Sequence, residues 1–486
     1  MSLPTSFFHT RVPLGGGGWV LQFDGSTSHY IGGTRQTIRY NDTQGYGYTV
    51  FDDSGGFGGQ RSAHLIKFNK DGVVQLQAGV HRGGGFEVRS FDVFDNGGVV
   101  LMGEYGGETY IHVVDSTSSI SAITNANGKT LYSGQYWETL AAYNHVGNTY
   151  PYKIAAMGRR SSDQSGLGQI YGWDGTTTFT DTGNMMRSYQ SGQVVQPREV
   201  TVRPDTRKIA MAGRYHNNVN ITASGAIFTQ NFGGMAMGSH INLGNISSTG
   251  FHLGVCWHKG LRNIAANTND AAWLVGYKDS SGNKGTIGSM SSAGFGNNFA
   301  LIGTTPYNAD NFQLNDVAYS DVSNDNKVYA VGQMRSPLDA RNASGGGTNA
   351  NDGVIICFNV SDDLNVTPTI AWATGIYQTQ SGLQRHISLQ NVVVDDEGQL
   401  LIRGEHYGES TQAAQRMFIL RHPPSGAVSA TAGTLNLYDA TQYLTVTSAS
   451  GNQGTLNFSN GSFWSEQTHT PAVQSQTLGS GTLTEF

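Results

Sequence analysis

Charge is what this chain has least of. Only 13% of its 486 residues are Asp, Glu, Lys or Arg, against roughly 25% in ordinary soluble domains. The net charge is −6, and the 29 basic residues are scattered rather than gathered on one stretch. A nucleic-acid binder shows a basic face, so that class of partner is excluded. Cysteine is nearly absent, with only Cys256 and Cys357, which rules out a disulfide framework. No stretch approaches the roughly 18 consecutive apolar residues of a membrane-spanning helix, so membrane insertion is not expected. No long segment keeps an apolar period of 3.6, and helix formers such as Glu and Lys are scarce, which argues against a helical domain. The opening "MSLPTSFFHTRVPLGGGG" has no basic stretch followed by an apolar core. It does not read as a secretory signal, and the expectation is synthesis in a cytoplasm without export.

What is present in quantity is glycine, at 66 residues, with 10% aromatics. Ser, Thr, Asn and Gly supply the polarity that charge does not, and these residues suit tight turns between strands. The chain therefore reads as all-β.

A repeat gives that reading its shape. "VVVDDEGQLLIRGEH" at 392–406 has the same frame as "FDVFDNGGVVLMGEY" at 91–105: an apolar strand, a tight turn, then a strand carrying a glycine. With that glycine as anchor, equivalents fall at Gly32 or Gly33, Gly103, Gly158, Gly213, Gly276, Gly332 and Gly404. From Gly103 onward the steps are 55, 55, 63, 56 and 72 residues. A further strand follows each anchor, as in "YIHVVDSTSS" or "MFILRHPPSG", and then a weaker fourth strand, as in "VVQLQAGV". Repeats of this length, each of four antiparallel strands, predict a seven-bladed β-propeller, because a ring buries both faces of every sheet and protects its edges. A β-helix is the alternative, with repeats that are usually shorter.

The propeller is expected over 19–433, with blades starting near Trp19, Phe86, Leu131, Arg187, Ser247, Thr304 and Leu383. Residues 1–18 form an N-terminal arm. Residues 434–486 form a Ser/Thr-rich tail; its "YLTVTS", "TLNFSN" and "SFWSEQ" keep the strand period of two, although its composition alone would allow disorder. Short turns are expected on one face of the ring. Long connections after the anchor glycines are expected on the other, with 34–63 and 333–352 the longest.

The frame resembles bacterial propellers built from "VDxxGNxYVxG" units. Together with the low charge and the terminal "TLGSGTLTEF", the chain is similar to virion proteins of tailed bacteriophages, marine ones in particular. That resemblance implies a tail-associated virion component (fibre, nozzle or tip) present in many copies. It implies other tail proteins as partners and a host surface glycan or receptor as a further contact.

Motifs that carry chemistry are scarce. "GGGGWV" and "GGFGGQ" have no helix behind them, so they read as turns rather than phosphate loops. His252, Cys256 and His258 share a strand face, but His252 and Cys256 stand roughly 13 Å apart at about 3.3 Å per residue, too far to share one ion. Asp321, Ser323 and Asp325, like "DSSGNKG" at 279–285, echo a calcium loop without its closing glutamate. They read as turn starters. No cofactor and no catalysis are expected. The positions just after the anchors, Glu104, Arg159, Arg214, Tyr277, Gln333 and Glu405, are predicted to form a surface-contact ring or a solvated rim. Glu104 and Glu405 are the only pair that suggests a glycosidase, which needs two carboxyls about 5–10 Å apart. A free glycan-binding lectin is the other alternative. Cys256 and Cys357 belong to different repeats, so both are expected to react with iodoacetamide in the denatured, unreduced protein. Protection of both would contradict this.

Overall fold

Continuous apolar runs such as "VIICF" in Asn351–Asn359 dictate strands buried on both faces, and that is what the computed structural model contains. It describes the strands and short turns between Phe8 and Ser450, together with 481–482 and 484–485. Stretches such as 33–37, 81–85, 115–121, 259–270, 321–325, 339–350, 408–415 and 451–480 lie outside the described residues.

Among the described residues, antiparallel sheets succeed one another along the chain. Sheet 1 runs Ile38–Asn41, Tyr46–Phe57, Gln60–Asn69 and Val74–Val80. The first strands of the following sheets are Glu87–Val93, Gln135–Asn144, Val194–Arg203, Gly250–Trp257, Gln313–Tyr319 and Leu383–Val394. Each of these strands touches the first strand of the sheet before it and of the sheet after it, and the last touches Ile38–Asn41. The innermost strands therefore close a circle, and the chain folds as a β-propeller with an apolar layer between successive sheets. One layer lies between sheets 1 and 2 around Val50 and Phe91. Another, between sheets 5 and 6, is built around Ile287 and Val354.

The anchor glycines have a physical cause. In sheets 2 to 7 the first strand carries one extra residue, so the register shifts opposite the glycine of the second strand. Such a bulge bends the strand and presses its backbone onto the glycine. A Cβ on Gly103 would stand 2.5 Å from the Glu87 carbonyl oxygen. On Gly158, Gly213 and Gly332 it would collide with the carbonyl oxygens of Tyr136, Gln196 and Gln313.

Four expectations are corrected. The first sheet does not begin at Trp19: Gly18–Asp24 pairs with Arg416–His422 as an outer strand of the last sheet, and Phe8–Gly15 pairs outside it. The N-terminal arm is thus part of the propeller. Trp19, Leu21 and Phe23 enter the layer between sheets 7 and 1, while Val20 enters the layer between sheets 6 and 7. Four such buried side chains contribute roughly 6–12 kcal/mol before the cost of ordering the strand, comparable to the whole stability of a domain. Second, 34–63 is not a long connection, because it contains the first two strands of sheet 1. Gly32 lies on a two-residue strand at the same edge rather than in the second strand. Third, the connections after the anchored strands are mostly short: Val99–Tyr105 and Glu108–Val114 are separated by only Gly106 and Gly107. Only 336–350 approaches the expected length.

The fourth correction concerns the tail. Leu435–Asp439 pairs with Thr369–Gln380 of sheet 6, and Leu444–Ser450 pairs with Asn298–Thr304 of sheet 5. The propeller therefore includes residues up to Ser450, its own outer edges absorb the strand-like start of the tail, and Thr484–Glu485 pairs with Val74–Val80 at the outer edge of sheet 1. "TLNFSN" and "SFWSEQ" lie outside the described residues.

Gly158→Ala is expected to lower stability by roughly 1–3 kcal/mol or more, since the bulge carbonyl cannot retreat. Gly426→Ala, where an added Cβ meets nothing within 4 Å, should stay within about 0.5 kcal/mol. Urea unfolding of the two variants tests the pair; equal losses would contradict the bulge as the cause.

Candidate functional site at the propeller axis

The innermost strand of each sheet has one edge without a neighbouring strand, so its N–H groups need other acceptors. The residues immediately after the bulges are Ser90, Thr139, Glu199, Gly254, Asp316 and Asn391, and those of sheets 2, 4 and 6 supply an acceptor to the next sheet. Ser90 Oγ accepts from Leu140 N at 3.2 Å, Glu199 Oε2 from Val255 N at 2.9 Å, and Asp316 Oδ2 from Val392 N at 2.8 Å. Two residues beyond Ser90, Asp92 Oδ2 accepts from Ala142 N at 2.8 Å. Asp92, Glu199 and Asp316 thus lie in sheets 2, 4 and 6 and clamp sheets 3, 5 and 7.

Arg39 of sheet 1 joins them, its Nε donating to Asp92 Oδ1 at 3.0 Å. Burial pushes the Asp92 carboxyl above its usual range, opposed chiefly by the Arg39 charge. Glu199 is raised well above its ordinary 4.5, first by burial and then by the charge of Asp316, to which it is hydrogen-bonded. Burial also raises Asp316, but its hydrogen bonds from Glu199, Val392 N and Asn391 Nδ2 favour the ionised form. The proton of the pair therefore sits on Glu199, which donates to Asp316. The two meet across sheet 5 because Gly254 stands there: a Cβ at that position would come within 2.5 Å of the Asp316 backbone.

On one side of this carboxyl layer, a cavity of about 500 Å³ is lined by Arg39, Asp92, Glu199 and Asp316. The other side carries the bulge residues and the residues that follow the anchor glycines. Glu104 accepts from Arg89 Nη2 at 2.8 Å. Arg159 donates to Glu138 at 3.2 Å and lies 5.2 Å from the Tyr136 ring centroid. Arg214 lies 4.3 Å from the Phe251 centroid, and the Tyr277 ring is 6.0 Å from the same ring. These four predicted residues come together as an arc over sheets 2 to 5, linked through Arg89, Glu138 and Arg198. Gln333 is half-buried and pairs in register with Gln313, outside that arc. Glu405 is 1% exposed and bonded to Arg403 Nη2 at 2.7 Å, so its place in a contact surface, or in a catalytic pair with Glu104, is corrected to a buried ion pair.

His258 is buried, accepting from Trp273 Nε1 and facing Asp362 at 3.0 Å. The side chain of His252 and residues 321–325 lie outside the described residues. No group of three or more possible ligands occurs among the described residues.

No protein-family model matches the chain, and no curated protein matches it. Solved structures do. The Dos1 propeller is 9% identical with a TM-score of 0.39, covering 87% of this chain and 96% of that one. The propeller domain of the Trilobed protease from Pyrococcus furiosus, described as having an open velcro topology, is 9% identical with a TM-score of 0.40, over 82% and 94%. The polysaccharide lyase Uly1 is 10% identical with a TM-score of 0.43, over 81% and 90%.

Glu199 binds its proton more tightly folded than unfolded. The stability it contributes is present below about pH 4.5 and is lost as pH rises towards its raised value. In Glu199→Gln the amide keeps a donor towards Asp316 with nothing to titrate. The stability of the native protein relative to this variant is therefore expected to fall as pH rises above about 4.5. Thermal unfolding over that rise in pH tests this, and parallel curves would contradict it.

Proposed function

We propose that the chain is a non-catalytic structural propeller of a tailed-phage virion, associated with the tail in many copies and presenting one end of its axis to the host surface. The observation that supports a scaffold rather than an enzyme is how the axial carboxyls are used. Asp92, Glu199 and Asp316 each accept a backbone N–H from the next sheet, so their work is to hold the ring closed. The placement in a virion rests on the resemblance of the repeat, the low charge and the terminal "TLGSGTLTEF" to phage tail proteins. Its partners in this reading are other tail proteins.

One observation favours a second reading, a propeller glycosidase. A protonated carboxyl beside an ionised one, facing a cavity, is the usual makings of acid–base catalysis. Glu199 and Asp316 are in direct hydrogen-bond contact, however, whereas glycosidase carboxyls stand about 5–10 Å apart with the sugar between them.

Mass spectrometry and imaging of purified virions decide the matter. The protein is expected in the particle at the tail, and its absence would end the proposal. Since residues up to Ser450 complete sheets 5 and 6, deletion of 451–486 is the truncation expected to cost incorporation while the propeller still folds. Release of reducing ends from host polysaccharide, abolished in Glu199→Gln, would favour the enzyme.

A further inference from the structure

Among the described charged groups at the axis, two cations stand out. Arg198, the bulge residue of sheet 4, and Arg214, which follows the anchor of the same sheet, both lie over the Phe251 ring of sheet 5, at 4.7 and 4.3 Å. Their neighbours Arg89 and Arg159 are matched by Glu104 and Glu138. Neither Arg198 nor Arg214 has a carboxylate at ion-pair distance among the described residues, and the Nε of each is buried without an acceptor. Glu138, the acid acting on Arg198, is already bonded to Arg159, a third cation that repels both.

Two guanidiniums held close together at the same ring are the arrangement that a bound anion relieves. Guanidinium forks match the geometry of carboxylate and sulfate oxygens. Phe251 holds the forks in place, and the Tyr277 ring lies beside it. Tyr136, next to Arg159, is one of few large hydrophobic residues left exposed among the described residues, at 44%. An aromatic face beside a cation cluster suits a sugar ring that carries an acidic group. We propose that Arg198 and Arg214, held over Phe251 beside Tyr277, bind the carboxylate or sulfate group of an acidic polysaccharide. This deepens the reading of the propeller as a host-surface contact and rests on it for the source of the glycan.

The test is calorimetric titration of the full-length purified protein at low salt. The probes are a glucuronate oligosaccharide, a sulfated dextran oligosaccharide, a neutral dextran of equal length, and sodium sulfate. At least one acidic oligosaccharide is expected to bind at least tenfold more tightly than neutral dextran and than sodium sulfate, with affinity falling as salt rises. Arg198→Gln and Arg214→Gln are each expected to weaken that binding about tenfold or more, roughly the value of one charge-assisted contact. Lys70→Ala, in a turn of sheet 1 remote from the cluster, should leave it unchanged. Thermal unfolding of both arginine variants should be unchanged or raised, because a repulsion is removed, which separates lost binding from lost folding. Equal binding of neutral and acidic dextran, saturation by sulfate alone with no gain from the sugar, or binding indifferent to both substitutions would overturn the proposal. Because the titration uses isolated protein, its outcome is separate from whether the chain is found in virions.

Discussion

The structure depends on how the inner edges of its sheets are satisfied. A ring of sheets turns one strand of each towards a common axis, where no further strand fits and backbone N–H groups still need acceptors. Here acidic and polar side chains of one sheet reach the edge of the next. Asp92, Glu199 and Asp316 do so from alternate sheets, and Ser90 assists. Burying carboxyls carries a desolvation cost. It is offset by Arg39 at Asp92 and by the shared proton between Glu199 and Asp316.

The bulge and the anchor glycine serve the same end. The extra residue bends the first strand and sets the clamp residue directly behind it. The close approach that follows leaves no room for a Cβ on the second strand. The bulge also turns Arg89, Glu138 and Arg198 away from the clamp layer, towards the residues after the anchors. Closure and the charged arc thus arise from one backbone irregularity repeated around the ring.

The ring closes where the N-terminal strand completes the last sheet beside sheet 1. Trp19, on the N-terminal strand that completes the last sheet, donates to the Lys70 carbonyl oxygen of sheet 1 at 2.8 Å. Gly72, at φ +74°, leaves the space that its indole fills. Across the same junction Glu397, held by Arg421 of its own sheet at 2.7 Å, accepts from Lys70 at 2.6 Å, and Tyr40 donates to Asp396 at 2.6 Å. The exposed Lys70 pair adds little alone. The apolar layer behind it, with Trp19, Leu21 and Phe23, carries the junction.

The sequence by itself determined that the chain is all-β, that its unit is a strand, turn and glycine-bearing strand repeated along the chain, and that Cys256 and Cys357 fall in different units. These properties are local: alternation, turn chemistry and spacing are written in neighbouring residues. Four of the six post-anchor residues, Glu104, Arg159, Arg214 and Tyr277, lie along one arc of sheets 2 to 5. Only the tertiary structure decided the rest. That Trp19 closes the last sheet instead of opening the first depends on a partner just over 400 residues away in sequence, Arg421. That residues 435–450 add to sheets 5 and 6 was hidden, because a polar strand with period two looks the same on its own sheet and on a neighbour's. Asp92, Glu199 and Asp316 carry no motif. They look like ordinary strand residues until the bulge fixes which residue of each first strand faces the next sheet. Glu405 shares its local context with Glu104, yet it is buried with Arg403, since burial depends on what the fold packs above it.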